Sequence, residues 1–63
     1  MEKYKIVVAL NKDSKYYWAL TNENKETLSV SETYDTKQDV MNVVGIIKKF
    51  AASAEVFDLT GEE

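Results

Sequence analysis

The chain of 63 residues contains no cysteine, no histidine, no arginine and no proline, and only two glycines. Without cysteine there is neither a disulfide nor a thiolate metal site. Without histidine the commonest metal ligand, the commonest general base and the Ser-His and Cys-His nucleophile pairs are missing as well. The sequence therefore predicts no metal, no cofactor and no enzymatic activity. All eight basic residues are lysines, so no guanidinium fork is present to grip phosphate or carboxylate at two points. They are outnumbered by eleven acidic residues, and a net charge of −3 argues against a dedicated nucleic-acid binder. Long apolar runs are absent too. The longest near the N-terminus is "IVVAL", far short of a signal-peptide core or a membrane span. The expectation is a soluble, cytoplasmic protein with no membrane attachment.

What is present is a single small domain, residues 1–63. A domain of about this size buries only roughly 60 % of the surface that its unfolded chain exposes, so its core is marginal. Natural domains of this size add disulfides, a metal or a second subunit. With the first excluded and the second unsupported by ligands, a second subunit is the expected remedy.

Tyr4, Ile6, Val8 and Leu10 alternate with Lys5, Val7 and Ala9 and predict a first strand. A turn over residues 11–15 leads into an aromatic second strand, with Tyr16, Trp18 and Leu20 alternating with Tyr17 and Ala19. After "TNENKE", Leu28 and Val30 alternate with Thr27, Ser29 and Ser31 in a third, more polar strand. From Thr36 the period becomes helical: Val40, Val43, Val44, Ile47, Phe50 and Ala51 share one face, and Gln38, Asn42, Gly45 and Lys49 face away. Thr36 and Asp39 form a helix start resembling a capping box, and Lys48 and Lys49 suit the negative end of the helix dipole. The order strand, strand, strand, helix, strand defines an α+β fold. The helix is expected to cover Tyr4, Ile6, Val8, Leu10, Tyr16, Trp18, Leu20, Leu28 and Val30. Lys5, Val7, Ala9, Tyr17, Ala19, Thr27, Ser29 and Ser31 would form the opposite, open face.

The last predicted strand, Ala54 to Leu59, raises the question of its partner. The most apolar strand, "KIVVAL", would otherwise stand as an unprotected edge, and such edges invite aggregation. Placing residues 54–59 beside it, from the same chain or from a second copy, repairs the edge. Val56 and Phe57 are adjacent and apolar, so this strand buries both sides, as an inner strand does. A homodimer with one sheet running through both subunits satisfies the small core, the open edge and the two-faced strand together. Val56, Phe57, Asp58 and Leu59 are its expected interface residues.

The segments "YYWAL", "NENKETL", "SETYDTK" followed by Asn42, and "KKFAASAEVFDLT" together resemble the YegP-like family of small bacterial proteins of unknown function. The likeness covers nearly the whole chain and lies in the order and spacing of the segments rather than in any one motif. It implies a three-strand, helix, strand unit, and for a single unit a homodimer with exchanged C-terminal strands. Several positions depart from the family pattern. Trp18 is flanked by Tyr17 and Ala19 instead of arginines, which removes any anion role for those arginines. Asn24-Lys25 replaces Asn-Gly, and a type I′ turn there would demand a positive φ at Lys25. Val43 stands for a helix glycine and Phe50 for a polar residue.

Ser31, Glu32, Tyr34 and Asp35 are the densest polar group and sit where the third strand hands over to the helix. One reading is a small enzyme or metal site, with Glu32 as base or ligand, Tyr34 as proton donor and Asp35 beside it. The reading preferred on residue grounds is a structural corner in which Ser31 and Glu32 cap locally and Tyr34 packs. Tyr17, with Lys5 as expected cross-strand neighbour, is the only strand aromatic left on the open face, and a weak single-stranded RNA binder is a further alternative. The open-face candidates are Lys5, Val7, Tyr17 and Ser29. The best-supported reading is a small dimeric, non-enzymatic binding or accessory module for an unidentified protein or small-molecule partner.

Overall fold

Two asparagines set the hairpins. Asn11 accepts the backbone N–H groups of Asp13 and Lys15 on its side-chain oxygen, at 2.8 and 3.0 Å, while its carbonyl accepts from Ser14 N–H. Asn22 repeats the pattern: its side chain accepts from Asn24 and Glu26, and its carbonyl accepts from Lys25 N–H. Ser14 and Lys25, at φ 60° and 65°, are the residues that take the left-handed conformation. Each loop is thus a turn followed by one αL residue, the three-residue hairpin connection, rather than a type I′ turn with two positive φ angles. The side-chain cap of the leading asparagine supplies what a glycine at the αL position would have made easier.

In the computed structural model, which describes residues 3–61, these turns join β1 (Tyr4–Leu10), β2 (Tyr16–Asn22) and β3 (Thr27–Val30) into an antiparallel sheet of order β1-β2-β3. Helix α1 (Lys37–Phe50) follows and ends in a short 3-10 turn at Ala51–Ser53. The Thr36 hydroxyl accepts from Asp39 N–H at 3.1 Å, Asp39 lies in the first turn, and Lys48 and Lys49 lie in the last. This is the expected cap and charge pattern. The start of α1 lies against the Leu10 end of β1, where Lys37 shares a hollow with Val8, Leu10 and Tyr16. Its end lies against the Tyr4 end, where Met41, Val44 and Lys48 line a groove with Tyr4, Ile6 and Val8. The helix therefore runs antiparallel to β1.

Register assigns the faces. Ile6, Leu20 and Ser29 form one cross-strand row, and Val7, Ala19 and Val30 form the next. The first lies on the helix side, the second on the open side. Three expectations are corrected here. Val30 lies on the open face and is 61 % exposed, whereas Ser29 turns to the helix side. Leu28 is also exposed; it is the extra residue of a bulge, because Leu20 pairs with Ser29 while the adjacent Thr21 pairs with Thr27. The physical reason is that β2 is apolar on both faces, so alternation cannot choose between registers one residue apart, and the Asn22 turn together with the bulge makes the choice.

The covered core is small. Among the described residues only Ala19, Val40 and Val44 are buried apolar side chains. Val43 and Ile47 are half-buried, but Phe50 and Ala51, expected on the covered face, are exposed. The Phe50 ring instead carries the Lys49 ammonium at 5.4 Å from its centroid. Residues 54–59, expected as a fourth strand, belong to no strand, and Val56, Phe57 and Leu59 are 94, 74 and 91 % exposed. They do not return to the free edge of β1 in their own chain.

Candidate functional site

The corner after β3 is tied to β2 by both of its inner residues. Ser31 accepts the Trp18 backbone N–H on its hydroxyl at 2.9 Å, donates the hydroxyl to the Glu32 carbonyl at 2.8 Å, and gives its own N–H to the Trp18 carbonyl. Tyr34 exchanges two backbone bonds with Tyr16, at 2.7 and 2.9 Å, which carries the sheet one bridge beyond β3. Asp35 reaches back to the first hairpin and accepts from the Lys15 ammonium at 2.5 Å. The Lys15 hydrogen bond, and then its charge, hold the Asp35 carboxyl below the usual carboxylate range. Ser31, Tyr34 and Asp35 thus act as fasteners between hairpin, sheet and helix start, and Glu32 is exposed on the outside of that corner. Among the described residues no group of three or more carboxylates is arranged to hold a metal ion.

On the open face, Tyr17 stands opposite Ala9 and not Lys5, whose partner is Thr21. The expected pairing of ring and ammonium is therefore absent, because the hairpin register places them four residue pairs apart along β1. Tyr17 instead lines a shallow hollow of about 320 Å³ with Asn11, Val30, Ser31 and Thr33. The side-chain oxygen of Asn11 and the Ser31 hydroxyl there are already engaged in the turn and the corner. The ring, Val30 and the Thr33 side chain make up most of what the hollow offers a ligand. Neither Asn11 nor Thr33 was a sequence candidate; the signal for Asn11 was the spacing it shares with Asn22, an asparagine three residues before a strained αL residue in each loop.

A second apolar surface lies along the other edge. The helix-side groove of about 380 Å³ between β1 and α1 is lined by Tyr4, Ile6, Val8, Met41, Val44 and Lys48, and β1 forms the sheet edge beside it. The C-terminal segment with Val56, Phe57 and Leu59 projects without cover. At its end Asp58 accepts the hydroxyl of Thr60 at 2.6 Å and the backbone N–H of Thr60 at 2.9 Å, which lowers its pKa and turns the chain just after Leu59.

Comparison with known proteins bears on the same elements. The family model described as "Domain of unknown function (DUF1508)" matches residues 11–58, from the first hairpin turn into the C-terminal segment. The chain belongs to this family. The DUF1508 match agrees with the YegP-like resemblance read from the residues. An NMR solution structure of a protein from Haloferax volcanii is similar to this DUF1508 chain at 29 % identity and a TM-score of 0.78, over 92 % of this chain and 98 % of that one. Its source is an archaeon, so the likeness extends past the bacterial proteins that the resemblance implied. No curated protein matches the DUF1508 chain in sequence. The family carries no assigned activity, and the likeness to the archaeal protein is one of overall fold, here an α+β unit of three antiparallel strands and one helix. Among the described residues no helix is long and apolar enough to cross a membrane.

Proposed function

We propose that this DUF1508 chain acts as a homodimeric, non-enzymatic binding or accessory module, in which the C-terminal segment of each subunit completes the sheet of the other. The observation that carries this reading is the exposure of Val56, Phe57 and Leu59 beside a sheet whose β1 edge stands open and in which, among the described residues, only Ala19, Val40 and Val44 are buried apolar side chains. Apolar side chains of that size favour burial by roughly 1.5–3 kcal/mol each, a large sum for a domain this small. The open face, with Val7, Val30 and the Tyr17 hollow, is the surface left for a protein or small-molecule partner once the dimer has formed. A cysteine-free chain fits a reducing, cytoplasmic setting.

Light scattering on a sizing column at low micromolar concentration tests it. The expected mass is close to twice 7.2 kDa and persists on dilution. A stable species of 7.2 kDa would overturn the dimer.

A further inference from the structure

We infer that the C-terminal segment docks antiparallel on the free edge of the partner's β1 in one defined register, with Asp58 against the partner's Lys5, Val56 against the partner's Val7, and Phe57 in the partner's helix-side groove. This rests on the dimer proposed above and goes beyond it by naming the surface, the direction and the pairs.

Direction follows from the helix. Because α1 runs antiparallel to β1, the chain leaves the helix at the Tyr4 end of its own β1. A return along its own β1 would therefore be parallel. If two copies face each other edge to edge across a twofold axis perpendicular to the sheet, the two β1 strands are antiparallel. The departing segment then enters at the Leu10 end of the partner's β1 and runs toward its Tyr4 end. All neighbouring strands become antiparallel, the arrangement that the rest of the sheet already has.

The free edge has a matching hydrogen-bond pattern. Tyr16 exchanges backbone bonds with Tyr34 and the Trp18 carbonyl accepts from Ser31, so the even-numbered residues of β2 bond toward β3 and its odd-numbered residues toward β1. Their β1 partners are Lys5, Val7 and Ala9. Ile6 and Val8 consequently aim their N–H and C=O groups outward. An incoming strand exchanges hydrogen bonds with those two residues and meets Lys5 and Val7 as non-hydrogen-bonded pairs, whose side chains approach more closely.

Side-chain chemistry selects the register. With Phe57 opposite Ile6, its ring lies over the groove of Ile6, Val8, Met41 and Val44, and Leu59 continues the apolar row beside Tyr4. On the open face Asp58 meets Lys5 and Val56 meets Val7. Glu55 then falls beside Val8 on the helix side, where Lys37 lines the adjoining hollow. A slip of two residues sets Val56 against Lys5 or Asp58 against Val7, and a slip of one turns Phe57 to the wrong face. The turn that Asp58 makes with Thr60 ends the strand at Leu59, level with the start of β1.

The absence of native cysteine makes the test clean. Chains carrying K5C with D58C, or V7C with V56C, are oxidised at low micromolar concentration and run on a non-reducing gel, beside K5C with V56C as the slipped pair. Cross-strand neighbours in this register fall within disulfide reach. The expected result is a covalent dimer for both matched pairs and none for the slipped pair; V7C with V56C keeps both charges and covers a failure of the first pair to fold. A dimeric mass without cross-linking of either matched pair, or with cross-linking of the slipped pair, would overturn the register and leave the dimer standing. A cross-linked monomer, or a monomeric mass before oxidation, would overturn both.

Discussion

Asp35 and Lys15 lie on different elements, and their ion pair joins the β1-β2 hairpin to the start of the helix. The pair is well exposed, so solvent screens it and its contribution to stability is small. Its direction with pH is nevertheless fixed. Lys15 holds the Asp35 pKa below its ordinary value, so whatever stability the pair contributes is complete above the ordinary carboxylate pKa near about 4 and is lost as pH falls through the lower folded value. Titration of the Asp35 carboxyl by NMR should place its midpoint below the ordinary value, and Lys15→Ala should return it upward. A midpoint unchanged by Lys15→Ala would mean that the pair does not persist in solution. The two asparagines show the same reach of single residues. Asn11 and Asn22 each gather two backbone N–H groups and so hold Ser14 and Lys25 in a conformation that costs side-chain-bearing residues about 1–2 kcal/mol.

At the scale of elements, the helix was the most readable part of the chain. Its start at Thr36, its acidic first turn and its basic last turn follow from capping and dipole rules that need only local sequence. Gly45 sits on its exposed side, and a methyl group added there meets no atom within 4 Å. Gly45→Ala should therefore stabilise the fold by about 1 kcal/mol, measured as an increased urea midpoint at unchanged m-value. No gain, or a loss, would show that the outer helix face is covered in solution. The strands were readable in position but only partly in facing. Helical spacing distinguishes a buried side from a wet one, whereas Tyr17 and Ala19 on one face of β2 are as apolar as Trp18 and Leu20 on the other. The exposed positions of Val30 and Leu28 and the helix-side position of Ser29 follow from the Asn22 turn and the bulge beside Thr21.

For the whole molecule the decisive fact is how little is covered. Among the described residues the helix buries Val40 completely and Val44 nearly so but leaves Phe50 in water, and β1 stands at the edge of the sheet. If folding and association are coupled, the thermal midpoint must rise with protein concentration, because the folded dimer is favoured by mass action over unfolded single chains. A midpoint independent of concentration from the low micromolar range upward would show that the single chain is stable alone. Phe57→Asp should abolish the concentration dependence by placing a charge in the groove beside Ile6 and Val44.

The sequence by itself determined the α+β class with its three strands followed by a helix, the helix and its N-terminal cap, and the exclusion of chemistry that depends on histidine or cysteine. These are consequences of composition and of periodicity within one element. Only the tertiary structure decided which face Val30 and Ser29 occupy, that Tyr17 stands apart from Lys5, that Ser31, Tyr34 and Asp35 fasten the corner, and that residues 54–59 leave their own sheet unpaired. Each of these depends on a register or a distance between segments, and register is set by turn geometry and bulges that no pattern within a single strand contains.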